Sequence, residues 1–412
     1  IEKAYQDFFV GISLVGAKSP PREFHHATSH IHDFRWRNDS RLIYGLLRDP
    51  EYTAVVSISA DDGELKQLLK IDGSLTNLEW QADGTAFVAT RQSSLMPDQL
   101  VKVNLAGGTT IVLADPNAAF AEKDRPRIRF MRINNPLGGG IHGRLVLPNG
   151  YVQGRRYPLI FTTYLSGPEF LEGAVGDEFP ILPFAASGFA VFVLDAANLN
   201  SRSDFGDLEF TLMMYKRPLD AMETVRQQLA AEGIIDPERC AITGLSYGSD
   251  IAVYALSKSK FFKAASISIS GLDPIGYTLN SIAVEKILES SGLSSPEGSG
   301  IEPWKKVSLA LNAAHVATPL MIQSSDSEAL SSVQTFKALK RHGVPVDWYV
   351  YRGEGHLKSQ PLNKYHVYRR NLDWMKFWLK DEVSADPDRQ EQYMRWRAMK
   401  ESFRTRTLSV GK

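Results

Sequence analysis

Apolar runs of strand length alternate with segments of helical periodicity from Tyr157 to about Leu379. The runs "YPLIFTT" and "FAVFVL" are continuously apolar, as in strands whose two faces are both covered. The segment "PLDAMETVRQQLAAEG" instead repeats apolar residues on one helical face, at Leu219, Met222, Val225 and Leu229. This alternation predicts a doubly wound, mostly parallel sheet whose strands are joined by right-handed helical crossovers.

Two stretches near the start of the chain resemble each other. "IHDFRWRNDSRLIYGLL" places Trp36 before Asn-Asp-Ser, and "LTNLEWQADGTAFVATR" places Trp80, 44 residues later, before Ala-Asp-Gly. A period of about 40 to 50 residues, with strands on both sides of a tight turn, is typical of β-propeller blades. The alternative is two unrelated hairpins of one sandwich. A propeller needs at least about four blades to close, and only two are recognisable here. Either the chain is the end part of a longer protein or this region is not a closed propeller; we expect the former, consistent with a chain that begins with Ile1 rather than Met.

Changes in this rhythm divide the chain into three predicted regions. Residues 1–120 carry the blade-like repeats, and residues 121–380 carry the alternating strands and helices. Residues 381–412 form a charged extension with helical periodicity, which we expect to pack on the preceding domain or on a partner. The predicted fold class is therefore α/β, with part of a β-propeller before the doubly wound domain.

The composition excludes several classes of function. The 412 residues include 47 Lys and Arg and 47 Asp and Glu, so a bulk nucleic-acid or anionic-membrane binder is not expected. The one cysteine, Cys240, excludes an intramolecular disulfide and a multi-cysteine metal site, and its apolar neighbours predict a buried thiol. Neither an apolar run of about 18 residues nor a signal peptide is recognisable. We expect a soluble protein of the cytoplasm or periplasm.

The segment "CAITGLSYGSD" places a serine between a predicted strand and a predicted helix. Bulky residues at Gly244 or Gly248 would collide with neighbouring backbone in so tight a turn, and Ser246 between them is held in a strained conformation with its hydroxyl exposed. The helix that follows directs its N–H groups and the positive end of its dipole to the same place. The pattern predicts a nucleophile; the alternative is a glycine-rich turn with a capping serine.

A serine nucleophile needs a base, and the base needs an acid that orients it. In folds with this turn the chain order is serine, acid, histidine. The predicted base is His356, in the loop between the last predicted strand and the last long helix, whereas His315 and His342 are predicted to be structural. The predicted acid is Asp326, just past the strand "PLMIQ". Glu328 is its rival, but its position nearer the next helix favours a capping role.

The oxyanion of a tetrahedral intermediate needs hydrogen-bond donors. One predicted donor is the backbone N–H of Tyr247, the residue after the nucleophile. The second is the phenol of Tyr164, which leaves the strand "YPLIFTT"; the alternative is an ordinary aromatic residue at a strand end. These groups predict acyl transfer that requires no metal and no cofactor.

These segments together resemble the prolyl oligopeptidase family of serine peptidases, in which a β-propeller precedes an α/β-hydrolase domain. "YPLIFTTYLSGP" is similar to the segment whose tyrosine serves the oxyanion hole, "GLSYGSD" to the nucleophile segment, "SSDSEALSSVQTFKALK" to the acid segment and "GEGH" to the histidine segment. The resemblance covers roughly residues 127–380. It implies a triad of Ser246, Asp326 and His356, with Tyr164 and Tyr247 at the oxyanion hole.

Two stretches depart from the usual family pattern. "LDAANLNSRSDFGDLEF" replaces an Arg-Gly-Ser-rich stretch, and "FLEGAVGDEFPILPFAASGFAVFVL" is similar to the branch of bacterial lasso-peptide isopeptidases. The second likeness implies a threaded lasso peptide as substrate and hydrolysis of its macrolactam amide. The alternative is an esterase or a general oligopeptidase, dipeptidyl or acylaminoacyl peptidase for linear substrates. Asp177 and Glu178 are candidates to bind cationic or hydrogen-bonding groups of the peptide, the alternative being a solvated loop that caps the next helix.

Two other classes of function are weighed against an enzyme. A hydrolase fold that serves only as a binding module would not need Ser246, Asp326 and His356 together. A metal protein using "HHATSHIHDF" would place His30 and His32 on one face of a strand, but loop histidines with ordinary hydrogen-bond partners are the preferred interpretation. The sequence therefore favours a serine isopeptidase or peptidase.

Overall fold

The computed structural model describes residues 8–12, 22–26, 31–38, 41–49, 51–122, 125–134, 141–163, 170–171, 178–195, 207–279 and 282–410. The chain divides into two compact units. The first comprises Ile1–Arg125 with Ser166–Leu171, and the second comprises Pro126–Leu165 with Glu172–Lys412.

Antiparallel strands make up the first unit. Its described strands are β1 (Phe8–Ile12), β2 (Arg22–His26), β3 (Ile31–Trp36), β4 (Leu42–Arg48), β5 (Tyr52–Ser59), β6 (Leu65–Asp72), β7 (Ser74–Trp80), β8 (Ala86–Ser93), β9 (Met96–Asn104) and β10 (Thr109–Ala114). Within these residues, β3 to β6 form one four-stranded sheet in chain order, β7 to β10 form a second, and β1 pairs with β2. Two successive four-stranded meanders are the form of propeller blades.

Contacts between the two meanders follow the repeat seen in the sequence. Asn38 Nδ2 donates a hydrogen bond of 2.7 Å to the carbonyl oxygen of Ala82, which lies 44 residues later. The ring of Trp80 stacks on Tyr44 with 5.5 Å between the ring centroids. A shared core then draws buried residues from both sheets, including Leu46, Val55, Ile71, Leu75, Phe87 and Val101. The prediction of two blade-like repeats is confirmed.

The histidine-rich segment of this unit is only partly within the described residues, and His30 lies outside them. Nδ1 of His32 lies 2.5 Å from Oδ2 of Asp33. Among the described residues, no group of three or more His, Cys, Asp or Glu side chains is arranged to hold a metal ion.

A single sheet organises the second unit. Its strands are β11 (Ile128–Ile133), β12 (Ile141–Val146), β13 (Tyr157–Thr163), β14 (Ala190–Asp195), β15 (Ile235–Gly244), β16 (Phe262–Ile267), β17 (Leu320–Ser325) and β18 (Val346–Tyr351). In the described part of the chain their order is β11-β12-β14-β13-β15-β16-β17-β18. β11, β12 and β14 pair antiparallel, and every pair from β14 to β18 is parallel. This is the mostly parallel sheet that the alternating pattern predicted.

Helices surround this sheet in the described part of the second unit. They are α1 (Ile181–Ala186), α2 (Leu208–Ala231), α3 (Tyr247–Lys258), α4 (Pro274–Leu279), α5 (Ile282–Ser290), α6 (Ile301–Val307), α7 (Val333–Arg341), α8 (Pro361–Lys380) and α9 (Gln390–Val410). As predicted, α2 buries Met222, Val225 and Leu229 completely. No helix in the described ranges combines the length and the apolar character that a bilayer crossing requires.

The buried residues of the sheet include the single cysteine. Cys240 is 0% exposed in β15, which confirms the predicted buried thiol. Burial raises the pKa of this thiol to about 12, so it stays protonated at neutral pH.

The charged C-terminal extension packs on the second unit. Trp396 of α9 is 0% exposed, and its ring meets Trp374 of α8 edge-on with 4.9 Å between centroids. Its Nε1 donates a hydrogen bond of 2.7 Å to Oδ2 of Asp347. The extension is therefore part of the fold of this unit rather than a free tail of the described chain.

Candidate active site

Ser246 lies with Leu245 in the two-residue turn between β15 and α3, at the edge of the sheet where the parallel strands end. Its backbone has φ 53° and ψ −125°, a combination that residues other than glycine rarely adopt. The turn reverses direction at once, because Gly248 N–H donates to Leu245 O at 2.8 Å and Ser249 N–H donates to Ser246 O at 2.8 Å. This strained turn presents the Ser246 hydroxyl above the strand ends.

The glycines on either side of Ser246 are required by the backbone packing. A Cβ at Gly244 would lie 2.1 Å from the carbonyl oxygen of Gly248. A Cβ at Gly248 would lie 2.2 Å from the carbonyl oxygen of Thr163, at the end of β13. Since both obstacles are backbone atoms, neither can move aside without displacing a strand or the helix. The predicted reason for the two glycines is confirmed.

The same turn contains Tyr247, whose backbone N–H is one of the two predicted oxyanion donors. Tyr247 is the first residue of α3, and the first N–H groups of a helix have no acceptor within it. The Tyr247 phenol is occupied elsewhere, since it donates to Met214 O at 3.2 Å. Tyr164 lies outside the described residues. The residue before it, Thr163, is joined to the turn because its Oγ1 can donate to Gly248 O at 3.1 Å.

His356 follows β18, in the loop before α8, and its imidazole meets a carboxylate. Its Nδ1 lies 2.7 Å from Oε1 of Glu328, which follows β17. This hydrogen bond raises the pKa of His356 above its ordinary value, although burial opposes the change. Burial by itself would raise the pKa of the Glu328 carboxyl. Its hydrogen bond to His356 and the imidazolium charge outweigh burial and hold that pKa below its usual value.

Asp326 does not occupy the position predicted for the orienting acid. Its Oδ2 accepts the backbone N–H of Gly353 at 2.9 Å, and its Oδ1 accepts that of Ser327 at 3.0 Å. The Gly353 hydrogen bond is the main reason that the pKa of Asp326 is lowered. Asp326 thus holds the backbone of the histidine loop, while the carboxylate at the imidazole is that of Glu328. The predicted pairing is corrected accordingly.

Sequence reasoning set Glu328 aside as a helix cap, and the structure gives no such role to its side chain. Glu328 precedes a short 3-10 turn, Ala329–Ser332, but its carboxylate makes no capping hydrogen bond. Its second oxygen instead accepts the hydroxyl of Ser325 at 3.1 Å. The 3-10 turn before α7 directs Glu328 toward the histidine loop, and the spacing of residues along the chain did not reveal that turn.

Glu178 is not open to a substrate. Its side chain is 3% exposed, and its Oε2 lies 3.0 Å from Nζ of Lys358, whose side chain is 0% exposed. The prediction that Glu178 reads cationic groups of a peptide is therefore wrong in this structure, because an internal lysine already neutralises the carboxylate. Asp177 lies outside the described residues.

A further acid, which sequence reasoning missed, lies in the first turn of α3. Oδ1 of Asp250 accepts the hydroxyl of Ser270 at 2.7 Å and the backbone N–H of Gly271 at 2.8 Å. Burial raises the pKa of Asp250 to about 6, although these hydrogen bonds and the nearby charge of His356 oppose the shift. Its position four residues after Ser246, one turn along the same helix face, was the available signal.

These groups converge at one edge of the sheet, after strands β15, β17 and β18. Among the described residues, no hydrogen bond joins Ser246 Oγ to His356, and catalytic hydrogen bonds are often long before substrate binds. A hydroxyl on a strained turn, an imidazole paired with a carboxylate, and a helix N-terminus can together support acyl transfer.

Comparison with known proteins gives several matches. Residues 179–382 match the model of the prolyl oligopeptidase family. Lasso peptide isopeptidase AtxE2 of Asticcacaulis excentricus is 32% identical over 360 residues, which are 84% of this chain and 51% of that protein. Dipeptidyl-peptidase 5 of Porphyromonas gingivalis is 23% identical over 373 residues, 84% of this chain and 52% of that protein. The chain spans about half the length of these curated relatives.

Solved structures of the same isopeptidase match the fold. The apo AtxE2 structure has a TM-score of 0.84 at 30% identity, and the match covers 93% of this chain and 60% of that one. The structure of a serine-to-alanine variant with Astexin3-dC4 bound has the same TM-score and identity, and covers 93% and 61%.

Proposed function

The chain belongs to the prolyl oligopeptidase family of serine peptidases, and from that premise we propose that it is a serine isopeptidase that hydrolyses the macrolactam amide of a lasso peptide. The strained turn that presents Ser246 carries the serine-hydrolase part of the proposal. The likeness to the lasso peptide isopeptidase carries the substrate class.

In the first step, Ser246 Oγ attacks the carbonyl carbon of the amide while Nε2 of His356 accepts its proton. Glu328 holds Nδ1 of the imidazole, fixes the tautomer that leaves Nε2 free to accept, and stabilises the imidazolium that forms. His356 then gives the proton to the leaving amine, and an ester on Ser246 remains. Water activated by His356 hydrolyses the ester and releases the opened peptide.

The negative oxygen of each tetrahedral intermediate needs donors that are already in place. The backbone N–H of Tyr247 is the first, and the N-terminal dipole of α3 adds to its effect. The Tyr164 phenol is proposed as the second donor, and the tie between Thr163 and Gly248 supports this role.

Incubation with a fluorophosphonate probe tests the nucleophile. We expect stoichiometric modification of folded protein at Ser246 and none in Ser246→Ala. If folded wild-type protein is not modified at Ser246, the mechanism fails.

Mass spectrometry of products tests the substrate class. From a threaded lasso peptide we expect one product heavier by one water, without fragmentation, because opening a ring adds water and releases nothing. A linear peptide of the same composition is the matched control. Preference for that linear peptide would instead support a general peptidase of this family.

A further inference from the structure

Lys358, two residues after His356, is a lysine without solvent access. Its side chain is 0% exposed, and its Nζ lies 3.0 Å from Oε2 of Glu178, which is 3% exposed. Two charges withdrawn from water lose their hydration, and their attraction offsets that loss only with good geometry. Two apolar side chains could fill the same space without losing hydration free energy. We therefore look for a specific role for this ion pair.

The carboxylate of Glu178 holds the histidine loop at two points. Besides the ammonium group, it accepts the backbone N–H of Lys358, at 3.3 Å from Oε1. The backbone carbonyl of Glu178 in turn accepts a hydrogen bond of 3.1 Å from Nδ2 of Asn371, which is buried in α8. The chain next to His356 is therefore tied to buried structure through both its main chain and its side chain.

The ammonium group of Lys358 also connects to the nucleophile turn. It donates a hydrogen bond to Oγ of Ser268, and the backbone N–H of Ser268 donates to Gly244 O at 3.0 Å. Gly244 lies two residues before Ser246. A continuous series of contacts thus runs from Glu178 through Lys358 to the turn that carries Ser246.

We propose that Lys358 and Glu178 are positioning residues that set the imidazole of His356 against the hydroxyl of Ser246. The inference rests on the proposed function, in which that imidazole and hydroxyl exchange a proton. Neither member of the pair needs to touch the substrate. They act through the loop, because the loop cannot shift without breaking an ion pair that water does not reach.

The pair also shapes the electrostatic surroundings of the imidazole. In the part of the chain that the structure describes, the charges of Glu328, Lys358 and Glu178 act on His356, and the charge of His356 acts on Asp250. The hydrogen bond from Glu328 raises the pKa of His356, burial and the Lys358 ammonium lower it, and the Glu178 carboxylate raises it. The two members of the pair therefore act on this pKa in opposite directions, which side chains that only filled space would not do.

Histidine titration followed by NMR gives a readout that does not depend on activity. Glu178→Gln and Lys358→Met, each close in shape to the original and neutral, are made in a Ser246→Ala background with labelled histidine. The spectrum of His356→Gln assigns the signal. We expect Glu178→Gln to lower the imidazole pKa and Lys358→Met to raise it, with the double variant between them.

Labelling kinetics in proteins that keep Ser246 test the positioning itself. For each single variant we expect the maximal rate of fluorophosphonate labelling to fall on the order of 10- to 100-fold, with the concentration for half-maximal rate changed less than about twofold. Asp373→Asn is the matched control, because it breaks another largely buried ion pair, to Arg389, at the contact between α8 and the C-terminal extension. It should lower the melting temperature without changing labelling or the His356 pKa.

The inference fails if neither single variant moves the imidazole pKa, if both move it in the same direction, or if Asp373→Asn slows labelling equally. Should Lys358→Met not fold, Glu178→Gln and the double variant, which has no unpaired charge, carry the same test. Absence of labelling in wild-type protein would overturn the proposed function, while the NMR titration would still decide this inference.

Discussion

Nδ1 of His356 lies 2.7 Å from Oε1 of Glu328, and the two side chains are 43% and 23% exposed. The carboxylate is thus drawn from the loop after β17 and the imidazole from the loop after β18, which are neighbouring parallel strands. The ends of β17 and β18 lie at the same edge of the sheet as the end of β15, which is followed by Ser246. In the proposed mechanism this contact makes Glu328 the acid that orients His356, and each of the two roles can be tested by substitution.

Exchange of Glu328 for glutamine should remove most of the reactivity of Ser246. Glu328→Gln leaves an amide that can stabilise the wrong tautomer of His356 and cannot stabilise the imidazolium, so we expect labelling to slow by about 10³- to 10⁴-fold. Asp326→Asn is the control, since Asp326 contacts loop backbone rather than the ring. Asp326→Asn should slow labelling by less than about tenfold. A larger loss in Asp326→Asn than in Glu328→Gln would restore Asp326 as the orienting acid.

The pH dependence of labelling should report the same hydrogen bond. The reaction needs a neutral imidazole, so the rate rises with pH as the imidazolium loses its proton. Because Glu328 raises the pKa of His356 above the ordinary 6.5, the midpoint of this rise should lie above pH 6.5. Glu328→Gln should move this midpoint to lower pH and should also lower the maximal labelling rate reached at high pH. A midpoint that stays in place in this variant would contradict the pairing.

Gly244→Ala should damage the nucleophile turn. The added Cβ would lie 2.1 Å from Gly248 O, so the strand end and the start of α3 must separate. We expect unfolding to become easier by about 1–3 kcal/mol and labelling to slow on the order of 10²-fold. Gly107→Ala, where the new methyl meets only side-chain atoms of Thr109 at 3.8 Å or more, is the comparison. Normal labelling by folded Gly244→Ala would show that the turn tolerates a side chain.

Asp250 should make the folded state less stable as pH rises. Its folded pKa of about 6 lies above that of an unfolded aspartate, so the folded state binds more protons in between and loses stability as pH rises through 6. Asp250→Asn, which keeps an acceptor for Ser270 and Gly271, should raise the melting temperature over wild type at pH 8 but not near pH 4. Equal differences at both pH values would argue against a raised pKa.

Trp396 should anchor the C-terminal extension. Trp396→Ala removes a fully buried ring and its hydrogen bond to Asp347, so we expect a loss of about 3–5 kcal/mol in the free energy of unfolding. Met394→Ala on the same helix, where the side chain is 59% exposed, should change it by less than about 0.5 kcal/mol. Denaturant titration measures both; similar losses would mean that the helix does not pack as described.

Local patterns in the sequence were sufficient to predict the main strands and helices and the turn that carries Ser246. The run Tyr157–Thr163 becomes β13 with the predicted bounds, because a continuously apolar segment of this length is stable only when covered on both faces. The helix expected soon after Glu328 is α7, Val333–Arg341, and it is preceded by a 3-10 turn. Gly244 and Gly248 marked the serine turn because steric exclusion at a tight turn depends on residues close in sequence.

Sequence patterns alone were therefore enough to predict the succession of strands and helices along the chain, the turn that exposes Ser246, and the loop that carries His356. The tertiary structure alone decided that Glu328 rather than Asp326 meets the imidazole, and that Glu178 is neutralised by Lys358, 180 residues away. The physical reason is range: backbone geometry follows from neighbouring residues, whereas the pairing of side chains on separate loops depends on how the whole sheet and its helices pack.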